Sequence, residues 1–348
     1  MRLILLPAVA RGLALNKTAL LAYNDRRMLN NSRTGLSMET RILGRTGLRV
    51  SVMGIGAGGP SRLGKRDDNL TQQESVDLLL RALDGGVNFI DTAEAYGTEE
   101  IVGAAIAQRD RSQLVISSKK RLGKEAIRPN QLRDGLHESL RRLRTDCIDV
   151  YHLHGLRMQE YDYYLNEIVP AMHDLQREGK IRYIGVTEHW NADLQHTMLQ
   201  RALADGVWDV IMVGFNLLNQ NAREIVLQPA IESNIGVLIM FAIRLALSKP
   251  ARLRETLQQL VESGELDASD FDLDNPLVFL MENGAATIPD AAYRFCRDEP
   301  GTHVILSGTG NPRHLAANLE TFARGPLSAE DTARLQRIFR SVHSVTGQ

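Results

Sequence analysis

Gly86-Val87-Asn88-Phe89-Ile90-Asp91-Thr92-Ala93-Glu94-Ala95-Tyr96-Gly97 reads as a buried strand that runs directly into a functional loop. Residues 87–90 form a short apolar run, and the acid, small residues, tyrosine and glycine after it have the composition of a strand-end loop. An acid placed five residues before a tyrosine brings both over one pocket if other strands contribute partners. Two later strand-like runs do so, since 114–119 ends in Lys119 and 148–154 ends in His154.

Outward from this stretch, strand-like runs and helix-like segments alternate from residue 40 onward. Residues 49–55 are the first strand. Thr71-x-x-Glu74 has the form of a capping box, followed by Val76, Leu79, Leu80 and Leu83 at helical spacing, and Gly85-Gly86 stops the helix. Helices follow at 99–108 and 129–143; the second opens on Pro129 and carries Leu132, Leu136, Leu140 and Leu143 on one face. Next come helix 161–177, strand 181–186, a helix capped by Asn191 and ending near 204, strand 210–215, helix 222–233 and strand 236–240. A long insertion, 241–290, separates the seventh strand from a further helix and the eighth strand, 302–306. Asn311-Pro312 then caps and opens the final barrel helix, with Leu315, Leu319 and Phe322, and an extra C-terminal helix at 329–338 lies beyond the repeat. Strands each followed by a helix, eight times over, predict an α/β protein of the (β/α)8 TIM-barrel type, with its active site at the C-terminal ends of the strands. Asp91, Tyr96, Lys119 and His154 then share one face of the barrel.

Composition agrees with small-molecule chemistry. Apolar residues make up 43% of the 348 and the net charge is -1, which fits a globular chain and argues against disorder or a general nucleic-acid partner. No apolar run approaches the length of a membrane span. Cys147 and Cys296 are the only cysteines, too few for a disulfide framework or a thiolate metal site, so a reducing compartment and a cytoplasmic location are expected. Residues 1–37 carry six basic residues against the single acid Asp25. They are expected to be a disordered extension outside the core, with Met38 the practical start and 38–348 a single barrel domain. An organellar transit peptide is the alternative, and a signal peptide is weakened by Pro7, which cuts the run Leu3-Ile4-Leu5-Leu6 short.

Gly54-x-Gly56-x-x-Gly59 matches the dinucleotide fingerprint literally, but that motif needs a helix opening at the loop. Pro60-Ser61-Arg62-Leu63-Gly64 leads into a polar loop instead, and the next helix waits until Thr71. The glycines, Gly56 among them, are expected to let the first loop's backbone approach a ligand closely.

The four strand-end groups have complementary chemistry for carbonyl reduction. A free phenol, with a pKa of about 10, is a poor acid near neutrality. An ammonium beside it favours phenolate, and a carboxylate fixes the ammonium and offsets its burial. Tyr96, Lys119 and Asp91 fit those roles, and His154 can orient or polarise the substrate oxygen. His152, two residues before His154, is read as a packed, hydrogen-bonded core residue one layer deeper. Lys120 is directed to the helix layer or solvent.

The run Leu43-Gly44-Arg45-Thr46-Gly47-Leu48-Arg49-Val50-Ser51, the anchor Phe89-Ile90-Asp91-Thr92-Ala93 with Tyr96-Gly97, Ser118-Lys119, and Ile148-Asp149-Val150-Tyr151-His152-Leu153-His154 together resemble the aldo-keto reductases. So do Gly179-Lys180-Ile181-Arg182-Tyr183-Ile184-Gly185-Val186 and Leu306-Ser307-Gly308-Thr309-Gly310-Asn311-Pro312-Arg313-His314-Leu315. The likeness runs from residue 40 to about 340, in order. It implies a monomeric barrel using NADPH or NADH without metal, with Asp91, Tyr96, Lys119 and His154 as catalytic tetrad and Tyr96 as general acid in reduction and base in oxidation. It also implies that Gly308, Thr309, Arg313, His314 and Asn318 lie at the adenosine-phosphate end of the cofactor, with NADP(H) slightly preferred over NAD(H). Met240 takes the place where many relatives stack an aromatic ring on the nicotinamide.

Several positions depart from the family pattern. Thr187-Glu188 stands where relatives carry Ser-Asn, and Met212 where they often carry Gln. Phe241-Ala242-Ile243-Arg244 replaces the usual sequence after the seventh strand, with Phe241 beside the cofactor and Arg244 a contact to pyrophosphate or substrate. Two other functions remain open at this point. One is a regulatory barrel that binds nucleotide with little turnover. The other is a metal-dependent hydrolase built on His152-x-His154 with His189, although a catalytic zinc needs three protein ligands and an open position. The expected partner is a small carbonyl compound or alcohol, and the charged insertion is a natural wall over its pocket.

Overall fold

The computed structural model describes residues 38–65, 70–270, 272 and 274–348, so the expectations for residues 1–37 lie outside the described part. Eight parallel strands close into a barrel: β3 (Met53–Gly56), β4 (Phe89–Asp91), β5 (Val115–Arg121), β6 (Ile148–Leu156), β7 (Ile181–Glu188), β8 (Val210–Gly214), β9 (Gly236–Met240) and β10 (Val304–Ser307), with β10 pairing back onto β3. The ring is preceded by a hairpin, β1 (Thr40–Ile42) and β2 (Arg49–Ser51), paired antiparallel. This corrects the reading of 49–55 as one strand. Ser51 instead bonds to Asn88 through its N–H at 2.7 Å and to Met53 O through its hydroxyl at 2.7 Å, and the chain turns from hairpin to barrel at Val52.

The hairpin plugs the barrel floor. Leu43, Leu48 and Val50 pack with Phe89, Val115, Val150, Val210, Leu238 and Val304 in the interior, and Met212 joins them from above. A larger apolar layer fills the space between strands and helices. Each such side chain taken out of water is worth about 1.5–3 kcal/mol, so the interior is a packed core rather than a channel.

Local sequence explains most of the helices. Thr71 and Glu74 form both halves of the capping box of Gln72–Asp84. Pro129 opens Pro129–Leu143, and Asn311 Oδ1 accepts from Arg313 N at the start of Pro312–Ala323. One cap differs from expectation. The helix after β7 is Thr197–Asp205, and its first N–H groups are taken by Asp193, which accepts from Thr197 N and Met198 N at 2.9 Å each. Asn191 lies too far upstream and is engaged elsewhere, at the barrel mouth. Helices 161–177 and 222–233 each contain a π-helical turn, Tyr164–Ile168 and Arg223–Leu227.

The insertion folds as Leu245–Ser248, Pro250–Glu262 and Val278–Glu282. Leu277, Phe279 and Leu280 are buried and dock it, as their apolar character requires. Beyond the final helix Ala329–Phe339 the chain returns to the mouth, where Asn216 Nδ2 donates to Thr346 O at 3.0 Å and Asn219 Nδ2 to Val345 O at 2.8 Å.

Candidate active site

Strand register steps the groups around the mouth, with His154 of β6 opposite Arg121, two residues beyond Lys119. Asp91 at the end of β4 is paired with Ser117 of β5, and Lys119 of β5 with His152 of β6. Lys119 is buried, and its Nζ donates to Asp91 Oδ2 at 2.6 Å, Asp91 Oδ1 at 2.7 Å and Thr92 O at 2.7 Å. Ser117 Oγ donates to Asp91 Oδ1 at 2.7 Å. Burial alone would discharge both partners, because it pushes Asp91 up and Lys119 down. The Asp91 charge and its hydrogen bonds to Nζ outweigh burial on Lys119 and leave it raised, so Nζ stays an ammonium.

Tyr96 follows on a short turn, Glu94–Tyr96, that ends at Gly97 with φ 69°. A left-handed residue is needed there for the chain to double back, and glycine supplies it without steric cost. The Tyr96 hydroxyl lies 3.4 Å from His154 Nε2, the rings meet edge to face, and Lys119 Nζ is 5.0 Å from the phenol centroid. Burial raises the Tyr96 pKa above its ordinary value; Lys119 pulls against this, Asp91 adds to it and Arg62 opposes it. The ammonium therefore moderates the burial effect rather than lowering the phenol outright, and the hydroxyl keeps its proton at neutral pH.

His154 is neutral at any physiological pH. Burial, followed by the charges of Lys119 and His189, lowers it from 6.5 to about 3. The folded chain then binds fewer protons at this ring than the unfolded chain between those values, so stability rises with pH across the window. The contribution is complete above 6.5 and is lost as the pH falls toward 3. Replacing His154 by Gln is expected to flatten this acid-side loss, read as the difference between variant and wild-type denaturation midpoints from pH 7 down to pH 4.

His152 is packed one layer deeper, as expected, and its ring nitrogens find only a marginal interaction with the Val186 backbone. It fits only because β7 has glycine opposite it, where a Cβ on Gly185 would come within 2.2 Å of His152 Nδ1. His189 is exposed, and no group of three His, Cys, Asp or Glu side chains suited to a metal occurs among the described residues. Lys120 turns to the helix layer and pairs with Glu94 at 2.9 Å.

The remaining candidates ring the same mouth. Gly56 ends β3, and a Cβ on Gly308 would meet Gly56 O at 2.8 Å, so the loops after β3 and β10 touch backbone to backbone. Thr187 Oγ1 accepts from Gly155 N at 2.8 Å and keeps its own O–H. Glu188 has both oxygens engaged, Oε1 by Gly214 N and Oε2 by His196 Nδ1, each at 2.7 Å. Met212 is buried with no polar atom to offer a carboxamide. Met240 is half-buried at the tip of β9, and Phe241 after it is left-handed, with φ 64°. Thr309 Oγ1 accepts from Asn311 N, Asn318 Nδ2 donates to Ser307 Oγ, and Arg313 and His314 are exposed on the first turn of Pro312–Ala323.

A stack that the sequence did not reveal stands beside Met240. Arg244 lies 4.1 Å over the Phe241 ring, Phe241 stacks on Trp190, and Trp190 stacks on His196. Trp190 is buried with its Nε1 unpartnered, in space left by Gly214, where a Cβ would come within 2.1 Å of the indole. Arg244 donates to Asn191 Oδ1, Thr346 Oγ1 and Gln348 Oε1, all neutral, and desolvation lowers it to about 10. No signal in residue order could have found contacts between positions 191, 244 and 346, which are local only in the folded chain.

A closed parallel barrel carries an Asp–Lys pair, a tyrosine and a neutral histidine together at its C-terminal mouth, a set with the chemistry for proton transfer. A dinucleotide fits the surroundings: backbone approach at Gly308, a helix N-terminus at Pro312, and the cations Arg244 and Arg313 without a carboxylate partner among the described residues. The family model described as Aldo/keto reductase family matches residues 53–340. The chain belongs to that family.

Among known proteins it is 34% identical to L-galactose dehydrogenase of Arabidopsis thaliana over 43% of this chain and 48% of that one. It is 31% identical to the NADH-specific methylglyoxal reductase of Escherichia coli over 57% of this chain and 64% of that one. The chain thus spans about half to two thirds of the length of these two relatives. A solved aldo/keto reductase from Klebsiella pneumoniae, in complex with NADP and acetate, superposes with a TM-score of 0.63 at 27% identity, covering 86% of this chain and 95% of that one.

Proposed function

We propose that this chain reduces a small aldehyde, ketone or sugar lactol, or oxidises the matching alcohol, with Tyr96 as the group that gives or takes the proton. The observation that carries this reading is the Tyr96 hydroxyl, protonated at neutral pH, 3.4 Å from a neutral His154 and beside the Lys119 ammonium. A bound nicotinamide would supply or accept the hydride at the carbonyl carbon. Tyr96 then gives its proton to the carbonyl oxygen, His154 orients that oxygen, and Lys119 with Asp91 steadies the phenolate that remains. In the reverse direction Tyr96 takes the alcohol proton.

Thr187, with its free O–H, is the group for the carboxamide, since Glu188 and Met212 have nothing to give it. Met240 and Phe241 would floor the nicotinamide, Arg244 would face the pyrophosphate, Gly56 would let the first loop's backbone come close, and Gly308, Thr309, Arg313, His314 and Asn318 would hold the adenosine end. Arg313 and His314, exposed on a helix N-terminus, favour NADP(H) modestly over NAD(H). Residues 38–348 are read as one catalytic domain, acting as a cytoplasmic monomer. No described helix is long and apolar enough to cross a membrane.

The test is nicotinamide oxidation with 4-nitrobenzaldehyde, run separately with NADPH and NADH on protein starting at Met38. Turnover with both and a lower Kd for NADPH is the expected result. Tight nucleotide binding without turnover on any aldehyde or ketone would favour a regulatory barrel, and tighter NADH binding would reverse the cofactor preference.

A further inference from the structure

Arg62 lies on the loop between β3 and the helix Gln72–Asp84, at the same mouth as Tyr96. Its backbone and that of Leu63 are both left-handed, with φ 45° and 58°. Side chains with a Cβ adopt this conformation only where the surroundings enforce it, and such residues cluster at functional sites. Leu63 is buried and anchors the loop. Arg62 Nη1 donates to Tyr96 O at 3.1 Å, which ties the guanidinium to the residue whose phenol carries the proton. Lys65 of the same loop donates to Gly97 O at 3.3 Å.

The two lysines nearest Tyr96 and its loop have acids, Lys119 with Asp91 and Lys120 with Glu94, whereas Lys65 donates only to a carbonyl. Arg62 has none among the described residues, and its Nε is shielded from solvent with no acceptor at all. A partly buried guanidinium whose one acceptor is a neutral carbonyl, with no anion to match its charge, is unfavourable unless something supplies one. Its charge also reaches the Tyr96 hydroxyl, where it opposes the effect of burial. The mouth beside the proton donor therefore holds an unmatched, tethered, planar cation, a group that suits carboxylate or phosphate oxygens.

We propose that Arg62 selects substrates that carry an anionic oxygen group, carboxylate or phosphate, close to the reacting carbonyl. The proposal rests on the reading of Tyr96 as proton donor to that carbonyl, and makes Arg62 a specificity-determining residue for it.

Two matched pairs test it: 2-carboxybenzaldehyde against its methyl ester, and glyceraldehyde 3-phosphate against glyceraldehyde. Each is run with the wild type, Arg62→Met and Arg62→Lys. The charged member of one pair is expected to have the higher kcat/KM in the wild type, and which pair does so distinguishes carboxylate from phosphate. Arg62→Met is expected to lower that value about 100-fold, chiefly through KM, and to leave the neutral member within about threefold. Arg62→Lys should recover part of the loss. Equal losses on charged and neutral members would mean that Arg62 only props Tyr96, and would overturn the proposal; so would no loss. Calorimetric titration with phthalate and with inorganic phosphate reads the anion site without turnover. Binding of either that disappears in Arg62→Met supports the proposal even if no aldehyde is reduced, in which case it is the reductase reading that fails. Binding unaffected by the substitution, or no binding of either anion, overturns it.

Discussion

Tyr96→Phe is expected to lower kcat by about 100- to 10,000-fold while leaving nucleotide affinity within about threefold, because positioned general acids typically supply that range. The substitution removes the hydroxyl that lies 3.4 Å from His154 Nε2 and keeps the ring that packs edge to face on the imidazole. Gly58 lies against the same ring, so its shape is part of the loop's packing and phenylalanine preserves it. The measurement is single-turnover nicotinamide oxidation together with a fluorescence titration of the nucleotide. Wild-type turnover in the variant would show that another group protonates the oxygen. A large loss of nucleotide affinity would show that the tyrosine shapes the pocket instead.

Lys119→Met is expected to cost about 3–5 kcal/mol in unfolding free energy as well as most of the activity. Lys119 and Asp91 are both buried, and removing the ammonium leaves a carboxylate whose remaining donor on the described side chains is Ser117. The methionine fills the volume but matches no charge. Pairing it with Asp91→Leu removes the orphaned charge, so the double variant should regain much of the stability and none of the turnover. Urea denaturation of the two singles and the double forms a cycle that isolates the pair. If the double were no more stable than Lys119→Met, the loss would come from packing rather than from an unpaired charge.

The barrel was legible because its elements repeat a local grammar. Thr71 with Glu74, Pro129 and Asn311-Pro312 mark helix starts through bonds made within a few residues, and they were read correctly. The convergence of Asp91, Tyr96, Lys119 and His154 was legible for a related reason, since strand ends in this fold must meet whatever lies between them. The hairpin was not. Residues 49–55 are continuously strand-like, and only the pairing of Arg49 with Ile42 divides them into a plug strand and a barrel strand. The cap at Asn191 failed because Asp193 competes for the same helix and lies nearer to it. His152 shows the limit for polar residues: sequence spacing gave its depth, but its neighbours, Gly185 and the Val186 backbone, leave its ring poorly partnered.

Two of the barrel's glycines are the negative image of large rings on the neighbouring strand or the loop beyond it: Gly185 makes room for His152, and Gly214 for Trp190. These positions therefore behave as lock and key within one molecule. An engineer who wants a wider pocket here, or an ancestor that acquired this one, has to change both members together, because either half alone leaves a collision or a void. The ease with which this barrel can be retuned is set by how many of its mouth residues are coupled in this way, and at the β7 and β8 ends that freedom is small.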